Sequence, residues 1–206
     1  MSYTIERYPA GPLDTNGYLI IEGDQCLIID PSLNPHTLIF DIKERNLTPQ
    51  AILLTHGHFD HFLGIYEIWE IFGDMLPLYL HPDEKKLIST ASWNGCDMLG
   101  DTRSYTGDFL PLEEGDITIG SFKLTVFHTP GHTPGGVCLY DGINCLTGDT
   151  LFAGSVGRSD WGYSDGKLLS KMIKEKLLTL PESTIIWPGH AMRSTIGREL
   201  KFNPFI

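Results

Sequence analysis

The sequence predicts an α/β fold, on three observations. Short apolar runs typical of buried strands recur in both halves of the chain. Segments with helical spacing of apolar residues alternate with these runs, and they occur towards both ends of the chain. Strands and amphipathic helices bury their apolar faces against each other, so this alternation indicates helices layered on mixed sheet. Periodicity alone leaves open whether the sheet is open, closed or doubled.

The elements follow from the positions of these patterns. Strands are predicted at residues 3–8, 18–21, 26–29, 51–54, 117–119, 122–127, 136–140, 144–146 and 184–187. Helices are predicted at residues 34–45, 61–72 and 167–180, and Pro181 ends the last of them. Neither a linker nor an internal repeat interrupts the chain, so residues 1–206 are expected to form a single domain.

Composition narrows the class of function. The chain has 206 residues, of which 41% are hydrophobic, and its net charge is −11. Nucleic-acid and anionic-membrane surfaces need clustered Lys and Arg, so neither is expected as a partner. The N-terminal residues do not have the pattern of a signal peptide, and no apolar run is long enough to span a bilayer. Cys26 and Cys138 lie in strand-like runs as reduced core residues, and a cytoplasmic location is therefore expected.

A dense group of metal-ligand residues follows the strand predicted at 51–54. His56, His58, Asp60 and His61 lie within six residues, at the mouth of a buried strand and before a helix. Neutral imidazole and carboxylate suit zinc, manganese or iron, and the absence of a neighbouring Cys argues against a closed structural zinc site. One tetrahedral ion cannot use all four side chains and keep an open position, whereas two ions can share them.

Three further candidate ligands occupy similar surroundings. His132 follows the strand predicted at 122–127, Asp149 follows the strand at 144–146, and His190 follows the strand at 184–187. A glycine next to each allows the backbone to turn tightly. A single buried histidine is commonly structural. The shared placement, together with the dense group, favours metal binding for all three.

With these residues in this order, the sequence resembles the metallo-β-lactamase superfamily over nearly its whole length. The resemblance implies a four-layer αββα sandwich with two sheets between outer helices. It also implies a division of the ligands that strand parity does not predict. One metal would be held by His56, His58 and His132, a second by Asp60, His61 and His190, and Asp149 would bridge the two.

Two segments narrow the resemblance to the glyoxalase II-like branch: residues 151–160 and the C-terminal residues 195–199 with 203–205. Members of that branch hydrolyse thioesters such as S-lactoylglutathione. Sixteen residues follow His190, too few for the helical extension that carries glutathione contacts in the full-length enzymes, so a branch member without it is expected. Another small thioester or an ester therefore stays open as the substrate.

The resemblance implies a metallohydrolase in which a metal-bound hydroxide attacks the thioester carbonyl. Two divalent ions are expected as cofactors, zinc first, with iron or manganese as alternatives. Asp60 is the candidate proton acceptor as well as a ligand. Asp30, at the end of the strand predicted at 26–29, resembles an aspartate that supports the metal loop in the family. His128 is interpreted as a residue near the site that is not a ligand.

The loop after residue 157 supplies candidate substrate contacts. Arg158 either pairs with Asp160 or meets an anionic part of the substrate. Trp161 and Tyr163 either line the entrance or pack as ordinary aromatic residues.

Two other functions compete with the thioesterase hypothesis. An iron-dependent persulfide dioxygenase uses the same fold with similar histidines and an aspartate. A non-catalytic metal-binding module is the other alternative, although the complete set of candidate ligands argues against it. The sequence does not predict an oligomeric state.

Overall fold

The computed structural model describes residues 3–206, which form two compact units. The first unit comprises residues 3–112 and 119–122, and the second comprises residues 113–118 and 123–206. Each unit contains one six-stranded sheet with helices, in agreement with the α/β class predicted from the sequence.

The first unit is built on a sheet with strand order β1-β2-β3-β4-β5-β6. Strands β1 to β3 are antiparallel, and β3 to β6 run parallel to one another. Its strands are β1 (Thr4–Ala10), β2 (Thr15–Glu22), β3 (Gln25–Ile29), β4 (Thr48–Leu53), β5 (Leu78–Leu80) and β6 (Leu110–Pro111). Its helices are α1 (His36–Glu44), α2 (Phe59–Phe62), α3 (Ile65–Phe72), α4 (Lys85–Ile88) and α5 (Ala91–Asn94), with 3₁₀ turns at Pro82–Glu84 and Cys96–Leu99.

The core of the first unit lies on the central strands. Nearly every residue of β2 and β3 is buried, which explains why these strands read as continuous apolar runs instead of alternating patterns. Leu38, Ile39 and Ile42 form the buried face of α1, as their spacing predicts. Burial raises the pKa of the Cys26 thiol to about 12, which fits a reduced core cysteine.

The helix predicted at 61–72 is two helices in the structure, and that prediction was wrong in this respect. Helix α2 begins at Phe59, and the chain then turns at Gly64 before α3. The Gly64 N–H donates to the carbonyl of Pro31 at 2.9 Å. A Cβ on Gly64 would lie 2.2 Å from that carbonyl oxygen, so only glycine allows this approach.

The second unit contains a sheet with strand order β14-β13-β10-β9-β8-β7, in which β10 and β13 are parallel. Its strands are β7 (Gly115–Ile119), β8 (Phe122–His128), β9 (Val137–Tyr140), β10 (Asn144–Gly148), β13 (Ile185–Pro188) and β14 (Ser194–Thr195). A separate hairpin is formed by β11 (Leu151–Phe152) and β12 (Ser155–Val156). The helices are α6 (Gly166–Met172), continued as a π-helix over Ile173–Leu177, and α7 (Ile196–Phe202).

A buried carboxylate fastens α7 to the rest of the second unit. Burial by itself raises the pKa of Glu199, but hydrogen bonds from Ser194, the Gly154 N–H, Asn203 and Arg198 outweigh it, and the pKa lies below its usual value. The network joins α7 to the hairpin of β11 and β12 and to the start of β14.

Neither the hairpin, nor β14, nor α7 is predicted from periodicity, because each is too short to show a pattern. Within residues 3–206 no helix is both long and apolar enough to cross a membrane.

Replacing Gly64 with alanine is expected to lower the free energy of unfolding by about 3 kcal/mol, because backbone must move to make room for the methyl group. Chemical denaturation measures the change. The matched control is Gly162→Ala, where a Cβ has no heavy atom within 4 Å, and it should change stability by less than ~0.5 kcal/mol. Equal effects of the two substitutions would contradict the proposed close approach to Pro31.

The buried Glu199 is expected to make the free energy of unfolding depend on pH in the acid range. Its pKa is depressed in the folded state, so its stabilisation is present above the ordinary value of 4.5 and is lost as the pH falls through the folded value. Wild-type protein should therefore lose stability more steeply below pH 4.5 than Glu199→Gln does, by up to ~1.4 kcal/mol per pH unit. Denaturation of chelator-treated protein at a series of pH values checks this, and parallel acid limbs would refute it.

Candidate metal centre

The first group of candidate ligands lies at the carboxyl end of β4. The apolar run of β4 is buried and extended up to Leu53, after which residues 54–58 form a loop that leads into the single turn of α2. His58 is the N-cap residue of α2, and Asp60 lies in its first turn, where the positive end of the helix favours a carboxylate. His56, His58, Asp60 and His61 are all buried, so the fold concentrates imidazole and carboxylate away from water.

Asp30 holds this group together from the neighbouring strand. Since β3 and β4 are parallel, Asp30 reaches the same edge of the sheet as the ligand loop. Its carboxylate accepts hydrogen bonds from the Thr55 N–H at 2.7 Å, the Thr55 hydroxyl at 2.6 Å and His61 Nδ1 at 3.0 Å. Asp30 has a φ of 46°, in the left-handed region that is uncommon for residues other than glycine. The contacts are those of a carboxylate that orients a ligating histidine.

These contacts determine which ring nitrogens can bind a cation. His61 donates from Nδ1 to Asp30, so when the ring is neutral the lone pair is on Nε2, which lies 3.5 Å from Asp60 Oδ2. The Thr55 hydroxyl donates to Asp30 and accepts from His56 Nδ1 at 3.1 Å. The Nε2 lone pair of His56 then lies 3.0 Å from Nδ1 of His58.

The spacings fit a metal ion. Two nitrogens that each lie ~2.05 Å from a tetrahedral ion are separated by about 3.3 Å. The pairs in this group are 3.0 and 3.5 Å apart, and the His61–Asp60 pair brings an imidazole lone pair towards a carboxylate oxygen. Such a pair of acceptors repels unless a cation or a proton lies between them. The donor set therefore fits a divalent ion.

Two supporting side chains were missed by sequence reasoning. The Thr15 hydroxyl, on β2, donates to Asp60 Oδ2 at 2.6 Å. Glu84 is fully buried and accepts from the Gly57 N–H at 2.8 Å. A Cβ on Gly57 would lie 3.0 Å from Leu87 and Ile88, which indicates a tightly packed ligand loop. The sequence signal for the contact with Glu84 was Gly57, a glycine between two candidate ligand histidines. Nothing in the sequence identifies Thr15.

The second group lies at one edge of the second sheet. Strands β10 and β13 are parallel, and β8 is antiparallel to β9, which is antiparallel to β10. The carboxyl ends of β10, β13 and β8 therefore lie at the same edge of this sheet. There β10 leads to Asp149, β13 to His190 and β8 to His132. Nε2 of His132 and Nε2 of His190 each lie 3.5 Å from Oδ2 of Asp149.

The loops around His132 and Asp149 orient this second group. Nδ1 of His132 lies 2.7 Å from the carbonyl oxygen of Arg158, so Nδ1 carries the proton and Nε2 presents a lone pair towards Asp149. The Ser164 hydroxyl donates to the His132 carbonyl at 2.7 Å. A Cβ on Gly157 would fall 1.8 Å from the Asp149 carbonyl oxygen. Acceptors again face each other, as around His61.

The remaining histidines have other contacts. His128 Nε2 bonds to the Pro134 carbonyl at 3.0 Å and so braces the loop that carries His132. His36 is exposed on the first unit, with its Nδ1 3.3 Å from Glu67 Oε2. His81 caps a 3₁₀ turn by accepting from the Asp83 N–H.

The candidate substrate residues lie on an exposed loop of the second unit. Arg158 makes a two-pronged contact with Asp160 at 2.8 and 3.0 Å, so of the two interpretations left open the structure contains the ion pair. The guanidinium also lies over the Trp161 ring, 4.7 Å from its centroid, and Trp161 stacks on Tyr163 with centroids 5.8 Å apart. Arg158 is linked to the second group through its carbonyl contact with His132.

Comparison with known proteins places these observations in a family. The family model of the metallo-β-lactamase superfamily matches residues 10–190, a span that contains both groups. The chain is 42% identical over 204 residues to the probable metallo-hydrolase YqgX of Bacillus subtilis, covering 97% of this chain and 96% of that protein. It is 32% identical over 208 residues to the hydroxyacylglutathione hydrolase GloC of Haemophilus influenzae, covering 98% and 97%.

Solved structures give the same answer for the fold. The B3 metallo-β-lactamase BLEG-1 matches with a TM-score of 0.91 and 39% identity, over 98% of this chain and 99% of that one. TTHA1623 in a di-iron-bound form matches with a TM-score of 0.87 and 38% identity, over 98% and 100%. ETHE1 from Myxococcus xanthus, at 23% identity and a TM-score of 0.79 over 99% and 84%, is a likeness of fold alone. The fold class is confirmed, and the chain belongs to the metallo-β-lactamase superfamily.

Proposed function

We propose that this protein is a metal-dependent hydrolase of the hydroxyacylglutathione hydrolase type, acting on thioesters. One observation carries the metal assignment. In His61 and in His132, Nδ1 donates a hydrogen bond, and Nε2 of the same ring faces a carboxylate oxygen at 3.5 Å. The proposed ligands are His56, His58, Asp60, His61, His132, Asp149 and His190, each of which offers one ligand atom. The hydrolase assignment draws on the relatives in Bacillus subtilis and Haemophilus influenzae.

Two divalent ions are proposed, because seven ligands exceed what one ion uses while keeping an open position. Their division follows the family resemblance: one ion on His56, His58 and His132, and the other on Asp60, His61 and His190, with Asp149 shared. Zinc is the first choice. The chemistry of the donors also suits iron and manganese, and the similar protein TTHA1623 is described in a di-iron-bound form.

The ions would supply Lewis acidity and lower the pKa of a water towards neutrality, so that a nucleophile is available near pH 7. The protein's own side chains have separate tasks. Asp30 and Thr55 keep the rings of His61 and His56 in the tautomer that presents Nε2. Asp60 is the proposed proton acceptor, and the Thr15 hydroxyl fixes its carboxylate by binding Oδ2 at 2.6 Å. A thiolate is a good leaving group, so no general acid is assigned.

Substrate contacts are proposed for the exposed loop of the second unit. Trp161 and Tyr163 form a stacked pair that offers a flat apolar surface. Arg158 lies over the Trp161 ring and pairs with Asp160, and an anionic substrate group could replace Asp160 as its partner. The carbonyl of Arg158 binds His132, so this loop is tied to a proposed ligand. The proposed partner is therefore a small thioester or ester with an anionic group.

The deciding experiment combines metal analysis with a substrate panel. Natively purified protein is analysed for zinc, iron and manganese, and is then assayed on thioesters including S-lactoylglutathione. We expect about two ions per chain and thioester hydrolysis that chelation abolishes and metal restores. His61→Ala and Asp149→Asn should each lower kcat/KM by about 1000-fold, or ~4 kcal/mol of barrier. The exposed His36→Ala, outside both groups, serves as the matched control and should be unchanged.

Other outcomes would identify other functions. A single iron with oxygen uptake on glutathione persulfide would overturn the thioesterase in favour of a dioxygenase. Faster hydrolysis of a β-lactam than of any thioester would favour a β-lactamase, the activity for which the similar protein BLEG-1 is named. Full metal loading without turnover on any substrate would favour a non-catalytic metal-binding module.

A second prediction concerns the support of the ligands. Asp30→Asn keeps the shape of the side chain but replaces one acceptor oxygen with an NH₂ group, which accepts no hydrogen bond, so the side chain can no longer accept from all the donors of Thr55 and His61. We expect a 10–100-fold loss of metal affinity, measured by competition with a chromophoric chelator. Asp24→Asn, in the exposed turn between β2 and β3, is the control with the same chemical change. Unchanged affinity in Asp30→Asn would show that Asp30 does not orient the ligands.

A further inference from the structure

Another buried carboxylate outside the proposed ligands connects the segments that carry two of them. Glu199 of α7 is fully buried. Its Oε2 accepts from the Gly154 N–H at 2.7 Å and from Asn203 Nδ2 at 2.9 Å. Its Oε1 accepts from the Ser194 hydroxyl and from the Arg198 guanidinium, the latter at 2.9 Å. The two oxygens thus receive four donors, a demand that a carboxylate meets and a neutral amide does not.

The first of these segments begins next to Asp149. The hairpin of β11 and β12 starts two residues after Asp149, and Gly154 lies at its turn. Asn203 strengthens the attachment, because its side-chain amide donates to the Ser155 carbonyl at 3.0 Å as well as to Glu199. The same hairpin brings the Phe152 ring edge-on to the His190 ring, with centroids 6.0 Å apart at 81°.

The second segment returns from His190. Ala191 has a φ of 63°, a strained conformation for a residue with a Cβ, so the surrounding structure must hold the chain there. Ser194, which donates to Glu199, begins β14, and β14 pairs with β13, the strand that leads into His190. Before His190, the Gly189 N–H donates to the Gly148 carbonyl at 2.8 Å. His190 is therefore restrained by Gly189 on one side and by the Glu199 network on the other.

We propose that Glu199 is a positioning residue for metal binding. Its charge holds the hairpin after Asp149 and the return from His190 in one arrangement, and this keeps His190 Nε2 directed at Asp149 Oδ2, 3.5 Å away. The inference rests on the proposed assignment of Asp149 and His190 as ligands. It adds a specific cause for their geometry: a carboxylate in α7 that is not itself one of the proposed ligands.

The test measures metal affinity, with no substrate present. Glu199→Gln, Asn203→Ala and wild-type protein are stripped with a chelator, checked for folding by circular dichroism, and titrated with Zn²⁺ against a chromophoric competitor. We expect Glu199→Gln to bind at least one ion 10–100-fold more weakly. Visible absorption of the Co²⁺-loaded variant should differ from wild type, because the ligand geometry has changed. Asn203→Ala keeps the carboxylate and should show a smaller loss in the same direction.

The control is Glu182→Gln, the same chemical change at an exposed glutamate that lies 3.8 Å from Lys201 Nζ. Its affinity should lie within twofold of wild type. Folded Glu199→Gln with wild-type affinity and an unchanged Co²⁺ spectrum would reduce Glu199 to a structural role and overturn the proposal. If Glu199→Gln does not fold, wild-type affinity in Asn203→Ala overturns it equally. Wild-type protein that binds no ion would instead refute the proposed function, and this inference would fall with it.

Discussion

The carboxylate of Asp30 is the constraint on which the first group depends. It accepts from the Thr55 backbone, the Thr55 hydroxyl and His61, and so links the carboxyl ends of two parallel strands. The protonated nitrogen of His61 follows from this contact, and that of His56 follows from the Thr55 hydroxyl. Without an acceptor at this point, both buried rings could take the other tautomer and turn their N–H groups towards the neighbouring acceptors.

The second group reaches a similar arrangement with different means. A backbone carbonyl, that of Arg158, takes the place of a carboxylate in setting the tautomer of His132. The buried carboxylate in this unit is Glu199. It accepts hydrogen bonds from Gly154 and Ser194, and so connects two segments of the chain, whereas Asp30 contacts an imidazole ring directly. The first group is thus ordered by direct contacts to its rings. The second depends more on the loops that carry its ligands, and Gly157 shows how closely those loops pass Asp149.

Buried acceptors have an energetic consequence in both units. Carboxylate oxygens and imidazole lone pairs that face each other at 3.5 Å are costly in a water-poor environment unless a cation or a proton lies between them. The fold tolerates this because well-hydrogen-bonded residues around the groups, such as Thr15 and Ser164, keep the acceptors in place. Metal binding would relieve the repulsion, and this relief would contribute to the free energy of binding.

The sequence by itself determined the α/β class and most strands, because a short apolar run is a local pattern. The candidate ligands were equally local, since each His or Asp follows such a run. It also predicted that each candidate ligand follows an apolar strand, but the pairing of those strands came from the structure. Only the tertiary structure decided the break at Gly64, since this depends on the Pro31 carbonyl far away in sequence. It alone assigned the tautomers of His61 and His132, the pairing of Arg158 with Asp160, and the roles of Thr15, Glu84 and Glu199. Their hydrogen bonds join residues distant along the chain, or depend on the turn a loop takes, and neither leaves a periodic trace in the sequence.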